Sequence, residues 1–401
     1  MEEISGTHLQ RKRFINYWEE NDFKNIKPIS IIPPTDWQST LFVNSGLIGY
    51  VKIVKEKKRL SQSLTTCQPC IKVGSNKFSL DKMMFRDGYF SFFEQLSCGG
   101  GENISIEWFI KKVWNYLLLI ANLPLDKIYI GVNPFSPEIK DYWEKSGVPN
   151  KNIIFPDPKA FILNLPMENI QGSYSPFYYD RGANHPLACK RNNCNINCDC
   201  GRFLELGDIG VIFLENTRII DHGIGLERIT SIQNGLLKVT DIREFSVIVS
   251  LLENKFQMTS PHFLTIADHL RSSIILLSLK LNPGNKKKEY ALRNLIRRIF
   301  WLVSRIYGFD KGKIQDIYIQ AAIELNNFSP YLEIDQEIVT SEINKEILRY
   351  EKLLKNGRRI LKKYFREYKS ISQFSEKELK FLYETHGLPK EIIKILLMEN
   401  Q

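Results

Sequence analysis

The chain has no apolar run approaching the ~20 residues that a bilayer-spanning helix needs; its longest, such as residues 274–279, stop far short. The opening MEEISGTHLQRKR holds no apolar signal core, so neither a membrane span nor export is expected and the chain reads as cytoplasmic. Internal repeats and low-complexity tracts are missing too, which removes solenoids and disordered tails from consideration. Charge of one sign does not dominate. The 55 basic residues against 45 acidic ones leave +10, which suits a polyanionic partner but equally an ordinary lysine-rich protein. Histidine is scarce: of six, only His222 lies in a motif, while His185 and His262 sit beside prolines. A histidine metal centre is therefore not expected, and His222 is the one histidine placed to line a pocket.

What is present is a chain of 401 residues, 43% hydrophobic and 12% aromatic, able to bury the cores of two or three domains. Residues 8–22 space Leu9, Phe14 and Trp18 as a helix does, and prolines 28, 33 and 34 then break it. From 39 to 101, short apolar or alternating runs are punctuated by glycine, the pattern of a largely antiparallel sheet. A helix is expected at 104–121 and strands at 127–132, 202–214 and 217–221. From about 237 glycine thins out and long amphipathic stretches take over, such as ALRNLIRRIFWLVSRIYG. The expected fold class is α+β, with a sheet domain over residues 1–235 and an α-helical domain over 236–401.

Two segments carry nucleotide chemistry. In IIDHGIGLERI an apolar strand runs into Gly223 and Gly225 and then a helix start bearing Arg228. Glycines admit close approach of a ligand, and an arginine behind them can fork onto phosphate or lie on a purine. A plain strand-to-helix turn has the same outline. The segment CQPCIKVG…MMFRDGYFSFFEQL makes that reading harder to hold, because it reads as two antiparallel strands carrying Lys72, Arg86, Phe92, Phe93 and Glu94. Cations can neutralise an α-phosphate, a ring can stack on adenine, and a carboxylate can accept from an exocyclic amine. A third cluster, Lys286, Lys287, Lys288, Arg293, Arg297 and Arg298, falls within thirteen helix-like residues; it suits an RNA phosphate backbone or simply a solvated helix face.

The chain resembles the alanyl-tRNA synthetases, which are class II enzymes. FVNSGL at 42–47, KVGSNK with RDGYFSFFEQL, and DHGIGLERI are similar to that family's three motif regions, in order. ADHLRSSIILLSLKLNPGNKKKEYALRNLIRRI at 267–299 resembles its helical tRNA-recognition segment, and FLYETHGLPKEII at 381–393 its closing helix pair. The resemblance covers residues 8–395. It implies a catalytic domain with a six-stranded antiparallel sheet, then an α-helical domain that grips the tRNA acceptor stem. Nothing corresponds to the family's editing or C-terminal domains, and whether a separate chain supplies them is left open by the sequence.

Carried over by position, the resemblance implies that Lys72, Arg86 and Arg228 are catalytic and bind ATP together with Phe92, Phe93, Glu94 and Gly225. Asp221 would bind the amino acid's ammonium, with Gly223 as floor and Asp208 beside it. Asn285 and Glu391 would read the acceptor stem's wobble pair, with Lys287, Arg293, Arg297 and Arg298 on its phosphates. ATP, Mg²⁺, an amino acid and tRNA, that for alanine, are the implied ligands. Three departures stand out. Lys72 replaces an arginine, a point charge in place of a fork. Asp208 replaces an asparagine and brings a second carboxylate near Asp221, which favours either a raised pKa or a substrate with extra positive charge. The loop ahead of the Cys-rich segment is shortened to NIQGSYSPFYYD, away from a standard alanine pocket.

Four of the seven cysteines, Cys189, Cys194, Cys198 and Cys200, follow the spacing C-x4-C-x3-C-x-C. Four thiolates in so short a loop can close a tetrahedral zinc site, with free thiols as the alternative. Cys67 and Cys70 form a lone CxxC in an expected strand, where alternation suits buried thiols better than a redox pair. Amino-acid activation followed by transfer to tRNA is the expected function, with a small amino acid such as alanine as substrate. Two rivals stand beside it: an adenylating paralogue with a carrier protein, peptide or small amine as acceptor, and a non-catalytic RNA-binding paralogue.

Overall fold

The computed structural model describes residues 6–57, 59–73, 90–133, 136–155, 161–189, 191, 194–198, 200–329, 332–362, 364, 368, 370–386, 388 and 390–399. They form two compact units, Met1–Arg243 and Glu244–Gln401, divided a little beyond the thinning of glycine. No helix among the described residues is long and apolar enough to cross a membrane.

Among the described residues the first unit is built on one sheet of nine strands, three more than the resemblance implies: β1 (Lys24–Asn25), β2 (Leu64–Ile71), β3 (Phe92–Gly100), β4 (Ile128–Gly131), β5 (Ile153–Ile154), β6 (Ile162–Leu165), β7 (Ile170–Asp180), β8 (Phe203–Leu214) and β9 (Thr217–Gly225). Their spatial order is β1-β2-β3-β9-β8-β7-β4-β5, with β6 also on β7. Among the described residues only the edge pairs β1–β2 and β4–β5 are parallel. The segment NIQGSYSPFYYD proves to be β7, one of the longest strands, rather than a shortened loop. Its tyrosines and Phe177 alternate as a pleated strand requires.

Both faces of the sheet are covered. On one lies α1 (Thr7–Glu19), whose Phe14 and Trp18 pack with Tyr116, Phe109 and Phe177 around His222. On the other lies α2 (Leu47–Lys57). Its Leu47, Ile48, Tyr50, Val51 and Val54 follow helical spacing and meet Leu64, Cys70, Ile212 and Ile219 of the strands. Each such side chain contributes about 1.5–3 kcal/mol by burial. Strand β2 is buried along its whole length, so Cys67 and Cys70 are enclosed thiols turned to opposite faces. Further helices are α3 (Ile106–Asn115), capped by Ser105, α4 (Pro137–Lys145) and α5 (Leu226–Gln233).

One irregularity matters to the site. Strands β7 and β8 pair Phe177 with Gly207 but Tyr178 with Glu205, so Leu206 is an extra residue and the ladder bulges there.

The second unit is helical: α6 (Arg243–Phe256), α7 (Phe263–Ser278), α8 (Lys287–Tyr307), α9 (Lys311–Phe328), α10 (Gln336–Leu361), α11 (Glu376–His386) and α12 (Lys390–Glu399). Helix α7 is buried almost all round and packs on α8, α9 and α10, and its buried face includes polar Asp268, His269, Arg271, Ser272 and Ser273 beside the apolar residues.

Candidate active site

Alternation along β9 turns Asp221, Gly223 and Gly225 to the α2 face and His222 to the α1 face. His222 therefore does not line a pocket. It lies among Phe14, Trp18 and Phe177, its Nδ1 is 2.9 Å from the Asp208 carbonyl oxygen, and burial draws its pKa down to about 4. The register of β9 with β8 sets Asp208 opposite Gly223 and Gly210 opposite Asp221. The two carboxylates are thus diagonal neighbours on one face, with Cβ atoms about 7 Å apart.

Two glycines shape this floor. A Cβ on Gly210 would meet Asp221 Oδ1 at 2.5 Å and Tyr174 Cε1 at 2.8 Å, so the bare backbone lets Asp221 lie flat beside the Tyr174 ring. A Cβ on Gly223 would overlap the amide of Gln95, whose Oε1 accepts from the Gly46 N–H at 2.6 Å. The space that Gly223 leaves is therefore filled by Gln95, and Gln95 rather than Gly223 is the surface there.

Asp221 is 3% exposed, and its Oδ1 has no hydrogen-bond partner among the described residues. Burial, and then the charge of Asp208, hold its pKa well above the carboxylate range. Burial and Glu205 raise Asp208 to about 7 against the pull of Lys72 and Arg228. Tyr174 is raised as well, by burial and by both aspartates.

Beside the carboxylates lies a cationic patch. Lys72 Nζ stands 5.0 Å from the centroid of Phe93, and burial and the nearby Arg228 lower its pKa. Arg228, on the first turn of α5, folds over Gly225 at the end of β9 and donates from NH1 to the Glu205 carbonyl at 2.7 Å. The Glu205 carboxylate is 4.0 Å from the same nitrogen. Sequence alternation hid Glu205, because three residues should separate it in direction from Asp208. The bulge at Leu206 restores them to one face.

Phe92 and Glu94 do not join this group. Phe93 pairs with Cys70 on the α2 face, so its neighbours on β3 point toward α1. There Glu94 is held by Arg11 NH2 at 2.9 Å and by the Cys67 thiol at 3.4 Å. An adenine amine read by Glu94 does not fit that placement, whereas Phe93 stays beside Lys72. Arg86 lies outside the described residues.

The sulfurs of Cys189, Cys194, Cys198 and Cys200 all lie within 4.8 Å of one another, with Cys189–Cys198 at 3.4 Å and Cys194–Cys200 at 3.5 Å. Tetrahedral Zn–S bonds of about 2.3 Å require sulfurs about 3.8 Å apart, so the set can hold an ion. Burial raises the Cys200 thiol, but the N–H groups of Arg202 and Cys189 and the neighbouring thiols bring it down to about 6. The loop is closed at its neck by Arg202, which forks onto Asp180 at 2.8 and 2.7 Å.

In the helical unit the basic residues divide. Asn285, Lys286 and Lys287 are exposed just ahead of and at the start of α8. Arg293 and Arg297 instead close on Glu346 of α10, at 3.3 and 2.9 Å, with Arg349 joining at 3.1 Å. Arg293 also holds the Asn285 side-chain oxygen and the Pro283 carbonyl. The surface role expected of Arg293 and Arg297 is thus replaced by an internal one, and Glu346 is the partner that sequence reading missed. Arg298 is half-buried on α8. Glu391 lies in the first turn of α12; its side chain is outside the described set.

The sequence profile of the family described as tRNA synthetases class II (A) matches residues 10–401. The chain is similar to the alanine–tRNA ligase of Elusimicrobium minutum (strain Pei191), 27% identical over 407 residues that cover 96% of this chain and 45% of that protein. It is similar also to the alanine–tRNA ligase of Rickettsia typhi, 26% identical over 408 residues, covering 98% and 46%. It spans about half the length of the curated relatives it matches. Among solved structures it is similar to apo S. aureus histidyl-tRNA synthetase, at 13% identity and a TM-score of 0.36, covering 64% of this chain and 79% of that one.

Proposed function

Because the chain belongs to the class II (A) tRNA synthetases, we propose that it activates an amino acid with ATP and passes the aminoacyl group to tRNA, the reaction after which its alanine–tRNA ligase relatives are named. The observation that carries this reading is the shared face of the sheet: Lys72, Phe93 and Arg228 at one end, Asp208 and Asp221 at the other.

On this reading the amino acid's ammonium is received by Asp221, and its carboxylate oxygen attacks the α-phosphorus of ATP. A new O–P bond forms as pyrophosphate leaves, giving the aminoacyl adenylate. Lys72 and Arg228 neutralise the charge that develops on the phosphoryl oxygens, in a pocket where fixed charges act without reorganising. Phe93 offers a ring for adenine. Mg²⁺ accompanying ATP supplies further neutralisation, and Glu205, the partly exposed carboxylate beside Arg228, would hold it. The four cysteine sulfurs would hold a structural zinc. The acceptor stem would lie against Asn285, Lys286 and Lys287, which are exposed where α8 begins. A cytoplasmic setting goes with this reading.

Amino-acid-dependent exchange of labelled pyrophosphate into ATP tests it. Exchange separates an adenylating enzyme from a passive RNA-binding paralogue, and charging of purified tRNA then separates tRNA from a carrier protein or small amine as acceptor.

A further inference from the structure

We propose that Asp208 and Asp221 act as a pair that selects a short diamino acid, with its second amine on the β- or γ-carbon, as the substrate for activation. This rests on the reading of the face as an amino-acid-activating site. Three observations lead to it. Asp221 is 3% exposed, and its Oδ1 meets no donor among the described residues, so one oxygen of a buried carboxylate on this face is left to a substrate donor. Among the described residues the charge that weighs on it is another carboxylate, Asp208, one diagonal step away on the same face. The cations of the site, Lys72 and Arg228, act on Asp208 beside Glu205, at the end taken here as the phosphate end.

With Lys72 and Arg228 turned to the phosphates of ATP, a substrate with a single ammonium leaves the carboxylate pair with one negative charge unmatched in a partly buried site, which is the costly arrangement. A second ammonium close to the first removes that cost. The floor limits how far the second amine can extend. Tyr174 lies over Gly210 and the Gln95 amide fills the space over Gly223, so the described floor favours a short side chain over one as long as that of lysine. Specificity then comes from a buried polar pair that one substrate satisfies and its analogue leaves unmatched. A shared proton is the competing way to neutralise the pair, with Glu205, Lys72, Arg228, Tyr174 and, from α2, Tyr50 as the titratable groups facing it among the described residues.

The test measures pyrophosphate exchange by the full chain with alanine, 2,3-diaminopropionate, 2,4-diaminobutyrate and lysine, in parallel with the melting temperature in the presence of each. One of the two short diamino acids should exceed alanine at least tenfold in kcat/KM and should raise the melting temperature where alanine does not. Asp208→Asn should reverse the preference toward alanine by a similar factor. The melting shifts of the unmodified chain keep the test open if that variant does not fold. Preference for alanine, with KM climbing as pH rises through 7, would mean that a proton fills the second place; it would overturn the proposal and leave activation standing. No exchange with any amino acid would overturn the activation reading and this proposal with it.

Discussion

Arg297 Nε lies 2.9 Å from the Oε1 of Glu346, a side chain with 0% exposure, and Arg293 approaches the same oxygen at 3.3 Å. One buried anion thus gathers arginines from α8, together with Arg349 of its own helix, and through Arg293 it steadies the turn that carries Asn285. Glu346→Ala should destabilise the chain by about 3 kcal/mol, because a buried charge cluster loses its centre. Arg349→Ala should cost under about 1 kcal/mol, since that arginine is half exposed. Urea unfolding of the three proteins checks the ranking, and equal losses would refute it.

The RNA surface is expected to lie in the exposed lysines and not in those arginines. Replacing Lys286 and Lys287 by alanine should weaken tRNA binding and reduce the slope of log affinity against log salt by about 1 per lost phosphate contact. Pyrophosphate exchange should be untouched. Filter binding at several salt concentrations measures the slope, and an unchanged slope would remove this surface from the interface.

Arg228→Ala should lower pyrophosphate exchange by about 100-fold or more, the scale for removing a donor that acts on developing charge. The fold should lose only about 1 kcal/mol, from the bond to the Glu205 carbonyl. Asp221→Ala should leave ATP binding intact and act on the amino-acid KM or abolish activation. Calorimetric titration with ATP tells the two variants apart; loss of ATP binding in the second would count against its role.

A pH dependence follows from Asp208, which burial and Glu205 raise to about 7. The folded chain holds this proton more tightly than the unfolded one, whose aspartates titrate near ~4. The group therefore contributes stability fully below about pH 4, and that contribution is lost as pH rises through about 7. Asp221, also raised, acts in the same direction. Asp180 and Glu168 are lowered, mainly by Arg202 and Lys55 acting against burial, so their contributions are lost only as pH falls through and below the ordinary carboxylate range. Urea stability of the unliganded chain should fall between pH 5 and 8 by on the order of 2 kcal/mol from Asp208, and Asp208→Asn should flatten that fall. Parallel curves for the two proteins would refute the assignment.

Protein purified without added metal should carry one zinc per chain, measured by elemental analysis, and a chelator should lower the melting temperature. Substoichiometric metal with four readily titrated native thiols would instead support free cysteines in the loop.

Much of this architecture was legible in the sequence. Alternation found β8 and β9, helical spacing found α1 and the helical unit, and cysteine spacing found the cluster. What escaped has identifiable physical reasons. NIQGSYSPFYYD carries glycine, serine and proline, which signal a turn locally, yet tertiary pairing on both sides makes it β7. Adjacent residues Phe93 and Glu94 read as one nucleotide site, although the pleat sends them to opposite faces. Arg293 and Arg297 read as surface charge because Glu346, their partner, lies about fifty residues further along the chain.

The extra residue Leu206 makes the site depend on chain length as well as on chemistry. Deleting it would change no charged or polar group, yet Glu205 would turn toward the face that holds His222 while Asp208 stayed where it is. Arg228 would lose the carbonyl it rests on. In lineages that gain and lose residues, one codon here separates a face with three carboxylates from a face with two, and an alignment that places its gap a single column away would hide the difference.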